Sequence, residues 1–334
     1  MARIVWQSKS PSLYEAFSSG GLSADSGGTA YEFHAARALA QSHDVSFDAN
    51  AVRPVTMPLT TYVRQLRNSW PEADVIVKQT FPIVFGRRIP GVANIGIVHH
   101  VDLAAASRSP RFAIFNTVLR RRLRSMDAVV TVSQFWRDYL ERSGCGNVRV
   151  IYNSFTPDEY EVSGKEISVF LEKYNINIDK PIIYIGNASA SKGVYEVYNQ
   201  LADKDYTLVM TGRQNGAPDL PARFFSLPRR DYLILLKASS VVVTYSRMLE
   251  GWNRVAHEAM LMGTPVVGSG TGGMRELLTR GGQGVAEHAG DLPQLVDDAI
   301  SNRDQLGAIG QTYARQFDDA YWHREWDELV RSVA

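Results

Sequence analysis

Short apolar runs alternate with helically spaced apolar residues along almost the whole chain, and this alternation limits the possible folds most strongly. In the first half the runs are Arg3–Trp6, Val45–Phe47, Val75–Lys78, Ile95–His99, Ala128–Ser133 and Val148–Tyr152. Helical spacing appears between several of them, at Tyr31–Ala40 and Phe112–Met126. Runs that are continuously apolar, rather than alternating, suit strands covered on both faces. Strand, helix, strand in repetition predicts a parallel sheet, because parallel neighbours need a crossover. The rhythm breaks at Asn153–Gly164, where Pro157, acidic residues and Gly164 read as a linker. It resumes with predicted strands at Ile182–Ile185, Thr207–Thr211, Val241–Tyr245 and Pro265–Gly268. The predicted helices there are Val194–Ala202, Asp231–Ala238, Arg254–Met262 and Leu292–Ser301. The expectation is two α/β domains, residues 1–155 and 156–318, with ligands bound in a cleft beyond the carboxyl ends of their strands.

Composition narrows the class. Cys145 is the single cysteine, which excludes an internal disulfide framework and a cysteine-rich zinc site. No apolar run approaches the roughly 18 residues of a membrane span. Met1-Ala2-Arg3 leads straight into a strand pattern without a leader-like segment, so the expected location is the cytoplasm. The net charge of +1 conceals a division. Residues 1–154 hold 18 basic and 11 acidic side chains, and residues 155–334 hold 18 and 24. The first half therefore suits an anionic partner or surface.

Chemistry concentrates between Val241 and Leu278. A buried strand runs into a turn holding Glu250 and Gly251, and a helix carrying Glu258 follows. Gly251 lets backbone pass close to a ligand. The amides of Trp252, Asn253, Arg254 and Val255 open the helix and can meet an anion. Glu258 suits the two hydroxyls of a ribose.

Glu250 and Glu258, seven residues apart within EGWNRVAHEAMLMGTPVVGSGTGGMRE, resemble the Glu-x7-Glu signature of retaining GT-B glycosyltransferases, especially glycosyltransferase family 4. The resemblance implies two Rossmann-like parallel-sheet domains facing a central cleft. The last helix, over 319–334, would pack back on the first domain, with Trp322 and Trp326 on one face. It implies transfer of a sugar from a nucleotide-sugar donor to an acceptor hydroxyl with retention, as in glycan, glycolipid or glycoconjugate biosynthesis. No metal or other cofactor is implied. Glu250 would position the sugar hydroxyls, and Glu258 would hold the ribose.

The family pattern Gly-Arg-x4-Lys-Gly falls on Gly186, Asn187, Lys192 and Gly193. Lys192 would meet the diphosphate, as its compact ammonium suits phosphate oxygens. A lysine at a helix start is electrostatically disfavoured, which itself points to an anionic ligand. Asn187 departs from the pattern, because it cannot neutralise charge; Arg254 or Arg213 would then supply the second cation. Gly212 occupies a family glycine turn, and Leu227, in Phe225-Ser226-Leu227-Pro228, the place of the base-cradling loop. In the first half, Asp25-Ser26-Gly27-Gly28 precedes a helix after a long loop from Gln7, and Gly27 and Gly28 fit the family's glycine pair. His99 and His100 close the strand Ile95–His99, where the family often has a histidine near the reacting sugar. Strand alternation would send them to opposite faces, so at most one of the two is expected at the site.

Other readings were weighed on particular residues. Asp203-Lys204-Asp205 is a turn rather than a metal motif, and His99, His100 and Asp102 lack the companions of a metal site. His257 reads as a packing histidine. Arg120, Arg121, Arg122 and Arg124, on the helix Phe112–Met126, suit a peripheral membrane contact or an anionic, lipid-linked acceptor. No nucleic-acid partner is expected. A silent sugar-binding module is the alternative that Asn187 supports. A dehydrogenase is disfavoured by the absence of a tight Gly-x-Gly-x-x-Gly turn after the first strand.

Overall fold

A computed structural model of the chain describes residues 1–20, 27–215 and 220–334, without the side chains of Ala106, Arg213, Gln214 and Asn215. It comprises two compact units. The first is Met1–Phe155 with Phe317–Ala334, and the second is Thr156–Gln316.

The first unit holds a six-stranded parallel sheet in the order β2-β1-β3-β4-β5-β6. Its strands are β1 (Arg3–Gln7), β2 (Asp44–Phe47), β3 (Val75–Lys78), β4 (Ala93–Ile97), β5 (Ala128–Thr131) and β6 (Val148–Val150). β3 and β5 are buried along their whole length, as expected of strands covered on both faces. The helix Asp319–Val333 belongs to this unit. Trp322 and Trp326, both buried, pack against Tyr31 with ring centroids 4.6 and 6.4 Å away.

The second unit holds another six-stranded parallel sheet, in the order β12-β11-β10-β7-β8-β9. Its strands are β7 (Ile182–Ser189), β8 (Thr207–Asn215), β9 (Arg223–Phe225), β10 (Val241–Thr244), β11 (Val266–Gly268) and β12 (Gly284–Val285). Ile183, Ile185, Val241, Val243 and Val267 form its core with Val197, Leu201 and Val296 from the covering helices.

Both sheets reverse direction once. In the first, the chain leaves β1 for β2 on one side and returns to β3 on the other. In the second, β8 lies on one side of β7 and β10 on the other. Loops beyond the carboxyl ends of such strand pairs diverge, and the crevice between them is where open α/β sheets take ligands.

Several boundaries differ from the sequence reading. The supposed loop after Gln7 contains the helix Pro11–Ser18, started by the Ser10 side chain accepting from the Leu13 amide. The linker segment contains a turn of 3-10 helix at Pro157–Tyr160 with Tyr160 buried, and a helix starts at Gly164 behind a Ser163–Glu166 capping box. β4 stops at Ile97, short of His99, after its last paired residue, Ile97 opposite Val130.

Candidate active site

The second unit's crevice lies between the ends of β7 and β10. After β7, Ala190–Lys192 make one turn of 3-10 helix, and Gly193 takes φ +69° before the next helix. A side chain at Gly193 would collide with the Tyr245 carbonyl, 1.9 Å from its Cβ, so only glycine lets the two loops meet there. The Arg247 amide donates to the Ser191 carbonyl at 3.1 Å, tying the loops again. Across this junction Lys192 Nζ donates to Glu250 Oε1 at 2.7 Å. The Glu250 side chain is 11% exposed and that of Lys192 38%. Glu250 is fixed through its backbone as well. It bridges to Gly272, and its carbonyl accepts from the Gly273 amide at 2.9 Å. Gly272 takes φ +61°, and a Cβ there would stand 2.4 Å from the Glu250 carbonyl oxygen.

The helix Arg254–Leu261 starts behind Asn253, which adopts φ +75° and accepts the Ala256 amide through its side chain at 3.0 Å. One orphan donor of the helix start is therefore already satisfied. Trp252 points inward. Its Nε1 donates to His257 Nδ1 at 2.9 Å, and His257 Nε2 lies 3.1 Å from the Ala314 carbonyl. Burial lowers the His257 pKa to about 3, outweighing the Ala314 hydrogen bond, so the ring is neutral and structural.

Glu258 is almost fully buried, and a buried carboxylate needs partners. Arg229 Nη2 donates to its Oε1 at 2.8 Å and to the Tyr160 hydroxyl at 2.9 Å. Arg254 Nη2 lies 3.9 Å from the same oxygen, and the Tyr160 hydroxyl donates to it at 3.5 Å. Burial works against the Arg229 charge, but the charge and hydrogen bond of Glu258 more than offset it and hold the guanidinium above its ordinary value. The sequence reading did not single out Arg229. Its signal was two arginines, Arg229 and Arg230, behind Pro228 at a helix start, where the helix dipole disfavours cations.

Asn187 sits on a bulged part of β7 and is exposed. It packs on Gly212, where a Cβ would lie 2.2 Å from its Oδ1. Gly186 and Gly212 take φ +102° and +95°. Leu227 is half-buried in the short stretch between β9 and the helix Arg229–Ala238. The Arg213 side chain, like Asp25 and Ser26 before the first glycine pair, lies outside the described residues.

In the first unit Gly27 and Gly28 open the helix Gly27–Leu39. A Cβ at Gly28 would stand 3.1 Å from His99 Cδ2, and the His99 ring meets Tyr31 edge-on at 4.7 Å. His100 is exposed, 6.4 Å from the Trp136 ring. The two histidines part as alternation would have them do, although the strand has already ended, and His99 is the one beside the glycine pair. Asp102 caps the helix Leu103–Arg108 by accepting the Ala105 amide at 2.7 Å. Asp205 pairs with Lys180, and Lys204 with Asp297 at 2.8 Å. Among the described residues no group of three or more His, Cys, Asp and Glu side chains could hold a metal ion.

Two family models match the chain. Residues 23–159 match glycosyltransferase family 4, and residues 179–302 match glycosyl transferases group 1. The chain is a glycosyltransferase of this family, with the GT-B fold. Among solved structures it is similar to sucrose-phosphate synthase from Thermosynechococcus elongatus, with a TM-score of 0.75 and 16% identity over 99% of each chain. It is also similar to Anabaena HepE solved with UDP-glucose, with a TM-score of 0.74 and 20% identity over 99% of this chain and 100% of that one. WaaG, a glycosyltransferase involved in lipopolysaccharide biosynthesis, gives 0.67 and 13% over 99% of each. No curated protein sequence matches the chain.

Proposed function

We propose that this protein moves a hexose from a nucleotide-sugar donor to an acceptor hydroxyl with retention of anomeric configuration. The observation that carries the proposal is the Lys192–Glu250 pair at 2.7 Å, standing over the β7/β10 reversal. A cation and a carboxylate held together there meet the two needs of the reaction. Lys192 stabilises the departing diphosphate, and Glu250 orients the sugar hydroxyls while positive charge develops at the anomeric carbon. Glu258, held by Arg229 and Arg254, receives the ribose. Arg229 is a positioning residue in this scheme, because it acts on the donor through Glu258. Asn187 brings no charge, so the diphosphate depends on Lys192 and the helix-start backbone.

The sugar carbon–oxygen bond to the diphosphate breaks as the acceptor oxygen attacks from the same face. The acceptor proton passes to the leaving phosphate oxygen. No metal is required in this scheme, so chelation with EDTA leaves the rate unchanged. UDP-glucose, the ligand of the Anabaena structure, is the first donor to test. A thermal-shift series of UDP-, GDP-, ADP-, CMP- and dTDP-sugars identifies the base. A donor at 100 times its dissociation constant stabilises by about 2.7 kcal/mol. NMR of the product then assigns its anomer, and an inverted product refutes retention.

The protein acts in the cytoplasm, and the first unit binds the acceptor. No helix among the described residues is long and apolar enough to cross a membrane. The helix Pro110–Leu123 exposes Phe112 and Ile114 and also carries Arg111, Arg121 and the half-buried Arg120, which supports peripheral contact with an anionic bilayer. Cosedimentation with anionic and neutral vesicles tests this, and equal binding to both removes the electrostatic part.

A further inference from the structure

The first unit's sheet has its own reversal, between β1 and β3, and cations gather over it. Lys9 lies just beyond β1 and Gln79 just beyond β3. The Lys9 amide donates to Gln79 Oε1 at 3.4 Å, and the Lys9 carbonyl accepts from the Arg53 amide at 3.0 Å. Three loops therefore converge where open α/β sheets take ligands. The half-buried Lys9 stands with its ammonium 3.8 Å over the Phe81 ring. Burial and the nearby Arg53 charge both lower its pKa, with Glu32 acting the other way. Among the described residues neither Lys9 nor Arg53 forms an ion pair with a carboxylate.

Neither nearby acid, Asp48 nor Glu32, forms an ion pair with Lys9 or Arg53. Asp48 is occupied by neutral donors, Gln7 Nε2 at 2.8 Å, the Ser69 hydroxyl at 2.7 Å and the Asn50 amide at 2.9 Å. Glu32 is fully buried and accepts from Trp6 Nε1 at 3.1 Å. Its pKa is pushed up to about 7 by burial, against the Trp6 hydrogen bond, the polar Ser8 and Gln79 side chains nearby and the Lys9 charge. Around these groups three polar atoms are buried without a hydrogen-bond partner among the described residues, namely Arg53 Nε, the Tyr62 hydroxyl and Glu32 Oε1. Tyr62 is fully buried and close enough to Arg53 to feel its charge. One arm of Arg53 is held, its Nη2 donating to the Met57 carbonyl at 3.0 Å. Two neighbouring cations that form no ion pair with a carboxylate among the described residues repel each other, and an oxyanion relieves that repulsion while supplying acceptors.

We infer that the crevice over the β1/β3 reversal binds a phosphate-type oxyanion carried by the acceptor, with Lys9 and Arg53 as its charged ligands. This deepens the glycosyl-transfer reading and rests on it, because it names the acceptor's chemistry.

The probe is inorganic phosphate, titrated by calorimetry into the full chain. The wild-type protein is expected to bind it, and Lys9→Met and Arg53→Met each to weaken binding at least tenfold. Lys9→Arg, which keeps the charge, is expected to retain most of it, and circular dichroism confirms that each variant folds. Lys192→Met, which strips the donor site of its phosphate cation, is expected to leave the Lys9-dependent phosphate binding intact. No binding to wild type, unchanged binding in both Met variants, or loss of the Lys9-dependent binding in Lys192→Met each overturns the assignment. Nucleotide-sugar binding, measured on the same variants, separates the two claims. Phosphate binding that needs Lys9 in a chain that binds no nucleotide sugar refutes the donor reading alone. The reverse result refutes the oxyanion site alone. Hexose 6-phosphate in solution and vesicles of phosphatidic acid in phosphatidylcholine then tell a soluble phosphate ester from a lipid headgroup.

Discussion

Each sheet reverses once, after two strands in the first and after three in the second, and the two differ in what stands over the reversal. Over β7/β10 a lysine is matched by a carboxylate 2.7 Å away. Over β1/β3, among the described residues, Lys9 and Arg53 have no paired carboxylate; Asp48 accepts from neutral donors and burial pushes the Glu32 pKa up. Topology thus determines where a ligand sits, while charge pairing determines which ligand. A matched pair suits a substrate on which negative charge leaves and positive charge develops. An unmatched pair of cations suits an anion that arrives and stays.

The largest effect expected belongs to the matched pair. Glu250→Ala should lower kcat by on the order of 100-fold or more, as losing one preorganised electrostatic group does, with donor binding retained. Near-normal turnover in a folded Glu250→Ala protein would break the comparison at its strongest point.

Next come opposite pH responses in the two units. Glu32 in the first unit has its pKa raised from 4.5 to about 7. Its contribution is fully present below the unfolded pKa and is lost as pH rises through the folded one. His257 in the second unit has its pKa lowered from 6.5 to about 3. Between those values the unfolded chain binds the extra proton, so stability falls as pH drops below 6.5. At roughly 1.4 kcal/mol per unit, each effect amounts to a few kcal/mol. Hydrogen exchange resolved by unit should show the first unit loosening from pH 5 to 8 and the second from pH 6.5 to 4. Glu32→Gln should flatten the first slope alone, and parallel slopes in both units would contradict the assignment.

Arg229→Met should raise the donor KM by about tenfold, or 1.4 kcal/mol, and leave kcat within about twofold, with Arg229→Lys recovering part of the loss. A purely structural Arg229 would lower the active fraction without this division between KM and kcat. The smallest effect concerns Asp205, paired with Lys180 on the surface. Asp205→Asn should change stability by less than about 0.5 kcal/mol and leave activity unaltered with or without EDTA. A metal-dependent loss would bring the Asp203-Lys204-Asp205 turn into the chemistry.

Much of the secondary structure was legible, and the misses have local causes. Val75–Lys78 was read at its true limits, because a continuous apolar run marks a doubly covered strand. β9 and β12 were missed, since three and two residues carry no periodicity. The helix Pro11–Ser18 announced itself through Ser10-Pro11, and Gly164–Lys173 through Ser163 and Glu166, but loop-like composition outweighed both signals. At the candidate site the sequence marked Lys192, Glu250 and Glu258 by spacing and resemblance. It did not show that Glu258 is held by Arg229, 29 residues earlier.

By itself, then, the sequence determined the class of fold, through apolar runs of fixed period, and the loops where chemistry gathers, through glycines and charges at helix starts. These are local properties, set by backbone stereochemistry and by which faces must be covered. The tertiary structure alone decided the pairings. Lys192 with Glu250, Arg229 with Glu258 and Lys9 with Arg53 come together because strand order, which no single segment encodes, carries distant loops to the same edge of a sheet.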